Sequence, residues 1–187
     1  MFMKKFFVIC LAFSLSTISL IGQCNSKKKV HLTSYSNDRH QDIVDIATSS
    51  EDFTSLVAAV KAADLIDVLK SEGPFTVFAP NNIAFAKLPE GTVETLVQQE
   101  NKKTLTSILT YHVIPAKITA ESLVNTINAT GGSVEYKTVQ GQTILAKMIN
   151  GNPVLIDQKG NKSFITKTDI NGSNGVIHVI DAVIMPG

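Results

Sequence analysis

Four groupings of side chains in this 187-residue sequence have types and spacings that chemistry could use. Tyr111-His112 sets a phenol beside an imidazole. His178 is followed three residues later by Asp181, Asp169-Ile170 precedes the turn-rich run Asn171–Gly175, and Cys24 closes an apolar leader. Imidazole is the natural proton carrier near neutrality, so both histidines are the first candidates for acid–base work. Their spacing argues against it. His112 shares a helical face with Leu105, Ile108 and Leu109, where burial disfavours the charged ring. A neutral, hydrogen-bonded core residue is the expectation there, ahead of a ligand or catalyst. His178 lies in a strand with Val176 and Ile180 on its own face and Ile177 and Val179 on the other, the pattern of a central, buried strand. Asp181 then falls on the opposite face, so a His178–Asp181 pair is poorly placed. Asp169 is expected to cap a turn, with Ile170 packed beneath it.

The search for other chemistry is short. His31 and His40 stand in a polar stretch far from the other two, so the histidines form no spaced ligand set, and neither metal nor cofactor is expected. There is no G-x-S-x-G elbow, H-E-x-x-H pair, P-loop or dinucleotide fingerprint. Triad members can be distant in sequence, so these absences lower the expectation of an enzyme without closing the question.

The elements that must position these residues follow from periodicity and punctuation. Ile43, Val44, Ile46 and Ala47 form a short helical face within Asp42–Thr48. Phe53, Leu56, Val57 and Val60 recur at amphipathic-helix spacing, with Ser49 or Ser50 as N-cap and Glu51 and Asp52 in the first turn. Leu65, Val68 and Leu69 continue into a second helix that Gly73-Pro74 ends. Phe75–Phe78 is a strand stopped by Pro80, and Asn81 or Asn82 caps the small helix before Pro89. Thr92 is expected to cap a helix carrying Val93, Leu96 and Val97, and a further helix starts near Asn101–Thr104. From Ile118 onward the expectation is a meander of hairpins. Val134, Tyr136 and Thr138 alternate with polar residues, and Thr143–Ile149, Val154–Asp157, Ser163–Asp169 and Val176–Asp181 lie between or after turns at Gln140-Gly141, Asn150-Gly151 and Lys159-Gly160-Asn161. Helices first and strands second give an α+β domain, a helical N-terminal half packed on a mainly antiparallel wedge or sandwich around one dry interior.

Length and a hydrophobic fraction of 44% suit one domain with its own core. There are 17 basic and 16 acidic residues; without Lys4 and Lys5 the balance is 15 against 16, a net of −1. No electrostatic footprint for nucleic acid is present. Residues 1–23 read as an export signal, Lys4 and Lys5 preceding a run of 16 residues, Phe6–Ile21, that is short of the roughly 20 a spanning helix needs. An uncleaved membrane anchor is the alternative. Ile21-Gly22-Gln23-Cys24 resembles a bacterial lipobox, in which Cys24 is lipidated, although Gln23 stands where a small residue is usual. Ordinary cleavage after Gly22 competes with it. Residues 24–41 form a polar linker, including Lys27–Lys29, and residues 42–187 the folded domain, which contains no cysteine. Asn128-Ala129-Thr130, Asn161-Lys162-Ser163 and Asn171-Gly172-Ser173 match glycosylation sequons, unused if the leader is bacterial.

Three ordered boxes carry a resemblance. Thr76–Pro80 followed by Asn-x-x-Ala-Phe, then Tyr111-His112, then Asn174–Pro186 resemble the signature segments of the fasciclin domain, over roughly Asp42 to Gly187. The resemblance implies a fasciclin-like fold and a task in adhesion. Its Tyr-His box is implicated in fold integrity and adhesion, which makes Tyr111 and His112 partner-binding candidates. Asp169-Ile170 matches an Asp-Ile pair implicated in integrin binding in animal members, although Lys167, Thr168 and Asn171 match less well. The expectation is a non-catalytic module of the cell envelope, lipid-anchored at Cys24 or secreted, binding surface protein or carbohydrate. The rivals are a secreted hydrolase acting on esters or polyesters and a periplasmic small-ligand carrier.

Overall fold

The computed structural model describes residues 41–187. The export segment, Cys24 and the linker through His40 lie outside the described residues. Asp42 opens the first helix, α1 (Ile43–Ser49), with a capping box: its carboxylate accepts from the Val44 and Asp45 N–H groups, and Asp45 reaches back to the Asp42 N–H. Ser50 caps a short 3₁₀ turn (Glu51–Phe53) that leads into α2 (Thr54–Ala62). The chain continues through α3 (Ile66–Lys70), β1 (Phe75–Pro80) and α4 (Asn82–Ala86), whose cap is Asn81. Next, α5 (Thr92–Leu96) begins after Gly91, which at φ 79° supplies the turn; Thr92 is the first helical residue and not the cap. The helix α6 (Lys102–Tyr111) ends at His112 and feeds the two-residue strand β2 (Val113–Ile114).

Beyond this point one element departs from the expected run of hairpins. Residues Ala120–Ala129 form the helix α7, capped by Thr119, before β3 (Ser133–Lys137), β4 (Thr143–Ile149), β5 (Asn152–Ile156), β6 (Lys162–Gly172) and β7 (Gly175–Ile180). The reason for the departure is compositional: only Leu123 and Ile127 of α7 are buried, and Ser, Asn and Thr fill much of the remainder. The hairpin turns fall at the expected glycines. Asn150 and Gly151, both at positive φ, join β4 to β5.

The strands form one sheet in the order β2-β1-β7-β6-β5-β4-β3. Every pairing is antiparallel except the parallel β1–β7 contact, which sets Phe75 against Gly175 and Pro80 against Ile180. All six residues of β7 are buried, as a central strand requires.

The sheet divides the interior into two clusters, in place of the single one expected. Ala79, Ile177 and Val179 face α1, α2 and α6 residues such as Ile43, Leu56, Val60 and Leu109. Phe78 and Ile180, on the other face, meet Leu123 and Ile127 of α7 and Ile144, Ala146 and Leu155 of the curled β4–β5 hairpin. Each buried Val, Leu, Ile or Phe among them contributes about 1.5–3 kcal/mol.

Candidate functional site

Tyr111 and His112 straddle the C-terminal end of α6 and are both buried. The Tyr111 hydroxyl donates to the Thr143 carbonyl at 2.9 Å, and burial raises its phenol above the ordinary value. His112 uses both ring nitrogens. Nδ1–H donates to the Ile108 carbonyl at 2.8 Å, one helical turn back, and Nε2 accepts from the Ile184 N–H at 3.2 Å. The carbonyl at Ile108 fixes the tautomer, because it can only accept. Full burial pushes this imidazole down to about 4, against 6.5 ordinarily, the Ile108 bond and the more distant Asp157 opposing the shift. The pair therefore clasps the C-terminal segment and strand β4 to α6.

His178 performs an equivalent task on the sheet's second face. Its ring stacks on Phe78 of the neighbouring strand, centroids 5.7 Å apart. Nε2–H donates to the Ile118 carbonyl at 2.8 Å, and Nδ1 accepts from the Asp169 N–H at 3.3 Å. Thr76 works beside it, donating to the Ala116 carbonyl at 2.5 Å and accepting from the Ile118 N–H at 2.8 Å. Both residues exist to dock segment 116–118 across β1 and β7. Asp181 lies elsewhere, accepting from the Phe164 N–H and pairing with Lys87 at 3.0 Å.

Asp169 does not cap a turn of its own. It sits at φ 57° within an irregular stretch of β6, opposite His178, and its carboxylate accepts from the Ala120 N–H at 2.9 Å, at the first turn of α7. Ile170 pairs with Ile177 and packs, half-buried, against the α1–α3 cluster. The structure thus brings Asp169 to His178 but keeps both apart from Tyr111 and His112. Among the described residues no group of three or more His, Cys, Asp or Glu side chains is arranged to hold a metal ion.

The surface feature the sequence did not reveal is a polar cleft of about 520 Å³ at one end of the sheet. Four separate stretches line it: Asp42, Lys70–Pro74, Lys117 and Gly172–Gly175. Asn174 ties three of them together. Its side chain accepts from the Ile43 N–H at 3.1 Å and donates to the Leu69 and Ser71 carbonyls at 2.7 and 3.1 Å, while its own carbonyl accepts from the Phe75 N–H. The glycines are part of the same construction: a Cβ on Gly73 would stand 1.9 Å from the Asn174 carbonyl, and one on Gly175 2.4 Å from that of Phe75. On the rim, Lys70 bridges Asp42 and Asp45 at 3.3 and 2.8 Å, which raises its pKa chiefly through the Asp45 bond. Lys117 and Glu72 are exposed and make no ion pair among the described residues. This leaves a firmly built, mixed-charge recess with one cation and one anion available to a partner.

The fold and the sequence have recognisable relatives. The fasciclin domain family model matches residues 51–186. Protein sll1483 of Synechocystis sp. is 43% identical over 175 residues, covering 94% of this chain and 90% of its own. A second protein of that organism, the uncharacterised sll1735, is 47% identical over 151 residues, or 78% of this chain and 98% of its own. Among solved structures, a FAS1 domain pair from the insect cell adhesion molecule fasciclin I superposes with a TM-score of 0.69 at 22% identity, covering 78% of this chain and 51% of that one. The three boxes of the sequence coincide with the strand β1, the α6 clasp and the β6–β7 closure that the shared architecture requires. A family model spanning most of the domain, two relatives above 40% identity and a common fold lead to one assignment: this chain belongs to the fasciclin domain family.

Proposed function

We propose that the protein is a non-catalytic interaction module of the cell envelope, binding a surface protein or carbohydrate through the cleft between the β6–β7 hairpin, the α3–β1 connection and Lys117. The observation that carries this reading is the cleft's construction: of the four stretches that line it, Asn174 cross-ties its own to those at Asp42–Ile43 and Leu69–Phe75, and partner-ready charges are left on the rim. Rigid loops on a stiff sheet are where recognition is usually placed. The insect structure comes from a cell adhesion molecule, which supports the same class of task. The hydrolase reading finds less support, because the ring nitrogens of His112 and His178 are occupied by internal bonds, leaving neither imidazole to activate a serine. Tyr111 and His112, being buried, serve binding by holding the frame, and Asp169-Ile170 by setting the start of the hairpin.

Export with a lipid anchor at Cys24 completes the proposal, placing the domain at the envelope on a polar tether. Palmitate labelling that is present in the parent and lost in Cys24→Ser supports the anchor; no label in the parent overturns it. For the binding role, cross-linking on intact cells compares the parent with a Lys117→Glu, Glu72→Lys double variant. Partner adducts that disappear in the variant support the cleft as the site. Adducts of equal yield overturn it, and stoichiometric labelling of one serine by a serine-reactive probe favours the hydrolase.

A further inference from the structure

The layer between helices α1–α3 and the first strands is incompletely filled. A cavity of about 70 Å³ lies there, walled by Ile43, Val44, Leu56, Val60, Phe75 and Ile177 among others. Its lining is almost wholly apolar and offers a trapped water few partners. His112 borders it with both nitrogens committed, and no buried side-chain nitrogen or oxygen among the described residues lacks a partner. A trapped water needs two to four polar partners, so an apolar occupant suits this space. The cavity is bordered by solvent-exposed apolar residues: Val68 and Val139 also line it and are 49% and 42% exposed. Lys61 lines it too, exposed and without an ion pair among the described residues, whereas the hydroxyls of the lining Thr48 and Thr110 already donate to the Asp45 and Thr106 carbonyls.

We propose that this cavity is a binding site for a small free monocarboxylate, its alkyl end inside and its carboxylate at the rim beside Lys61. An engineered cavity of about 150 Å³ accepts benzene, so half that volume accommodates a run of about three or four carbons. Hexanoate is the matching probe, and hexanol isolates the part played by the head group. This goes beyond an adhesive role, since it gives the domain a ligand that the polar cleft does not touch.

The test is an amide chemical-shift titration of the protein with each probe. Saturable shifts confined to cavity-lining residues are expected with both, hexanoate binding more tightly. Ala47→Leu fills the space with three extra carbons and abolishes both responses. Val57→Leu is the second filler should the first fail to fold, and a retained melting temperature certifies either one. Lys61→Gln weakens hexanoate about two- to fivefold, as for an exposed ion pair, and leaves hexanol unchanged. Absence of saturable shifts, binding that survives a folded filling variant, or hexanoate binding indifferent to Lys61→Gln overturns the assignment.

Discussion

Acidification should uncouple the C-terminal clasp at His112, and its size follows from the geometry. In the folded protein the Nε2 lone pair faces the Ile184 N–H and Nδ1–H is held by the Ile108 carbonyl, so a second ring proton would point donor at donor. The folded imidazole titrates at about 4 and the unfolded one at the ordinary 6.5. The unfolded chain thus binds the proton more readily. The contribution is fully present above about pH 6.5, shrinks as pH falls, and is gone near pH 4. A difference of this size at 1.36 kcal/mol per unit amounts to about 3 kcal/mol, a large share of the 5–15 kcal/mol typical of a domain. The assay is urea unfolding at pH 7, 6, 5 and 4 of the parent and of His112→Gln, which cannot take up a proton in this range. Carboxylates and the other histidines titrate in both proteins, so the difference between the two curves isolates position 112. The parent should lose about 3 kcal/mol more than the variant between pH 7 and pH 4, although the variant starts lower. In NMR spectra the His112 ring should still be neutral at pH 5.5. Parallel curves, or a His112 midpoint near 6.5, would refute the reasoning.

Further outcomes follow from other named contacts. Tyr111→Phe removes the bond to the Thr143 carbonyl and should cost about 1 kcal/mol in a denaturant titration. Asn174→Ala leaves the Ile43 N–H and the Leu69 and Ser71 carbonyls without their partner, and should cost about 2–3 kcal/mol with faster amide exchange at Ile43. Gly175→Ala drives a methyl into the Phe75 carbonyl, so its denaturation midpoint should fall well below that of Gly132→Ala, where only the positive φ of the site opposes the change. Asp169→Ala removes the acceptor at the start of α7 and should cost about 1 kcal/mol, with exchange at the Ala120 N–H rising first.

Local chemistry was legible in the sequence and long-range geometry was not. Two helix starts were legible to within a residue, at Ser49 or Ser50 and at Asn81 or Asn82, because capping is a matter of a few adjacent residues; Ser50 and Asn81 are the caps. Asn150-Gly151 announced its hairpin for the same reason. The interior histidines were also readable, since apolar neighbours at i−3 and i−4 or at i±2 imply burial whatever lies across the core. Helix α7 escaped because two buried residues make a faint stripe. Asp169 reads locally as a turn former because its acceptor role toward Ala120, 49 residues away, leaves no local trace. Neither the parallel β1–β7 register nor the cleft has a sequence signature, as each joins stretches separated by about a hundred positions. The charged lysines on the cleft look like any solvated surface until the fold gathers them.

The parallel strand contact has a kinetic consequence. Strand β1 has only the two-residue β2 on one side until β7, a hundred residues downstream, arrives to occupy the other. During synthesis the sheet's middle therefore stays open, with the Phe75–Phe78 edge unsaturated, until Gly175–Ile180 are available. Pairings this distant in sequence carry a large loop-closure cost and make folding slow. A chain that cannot lock itself shut before β7 emerges stays threadable until then, and one lacking that strand would lose its keystone at a stroke.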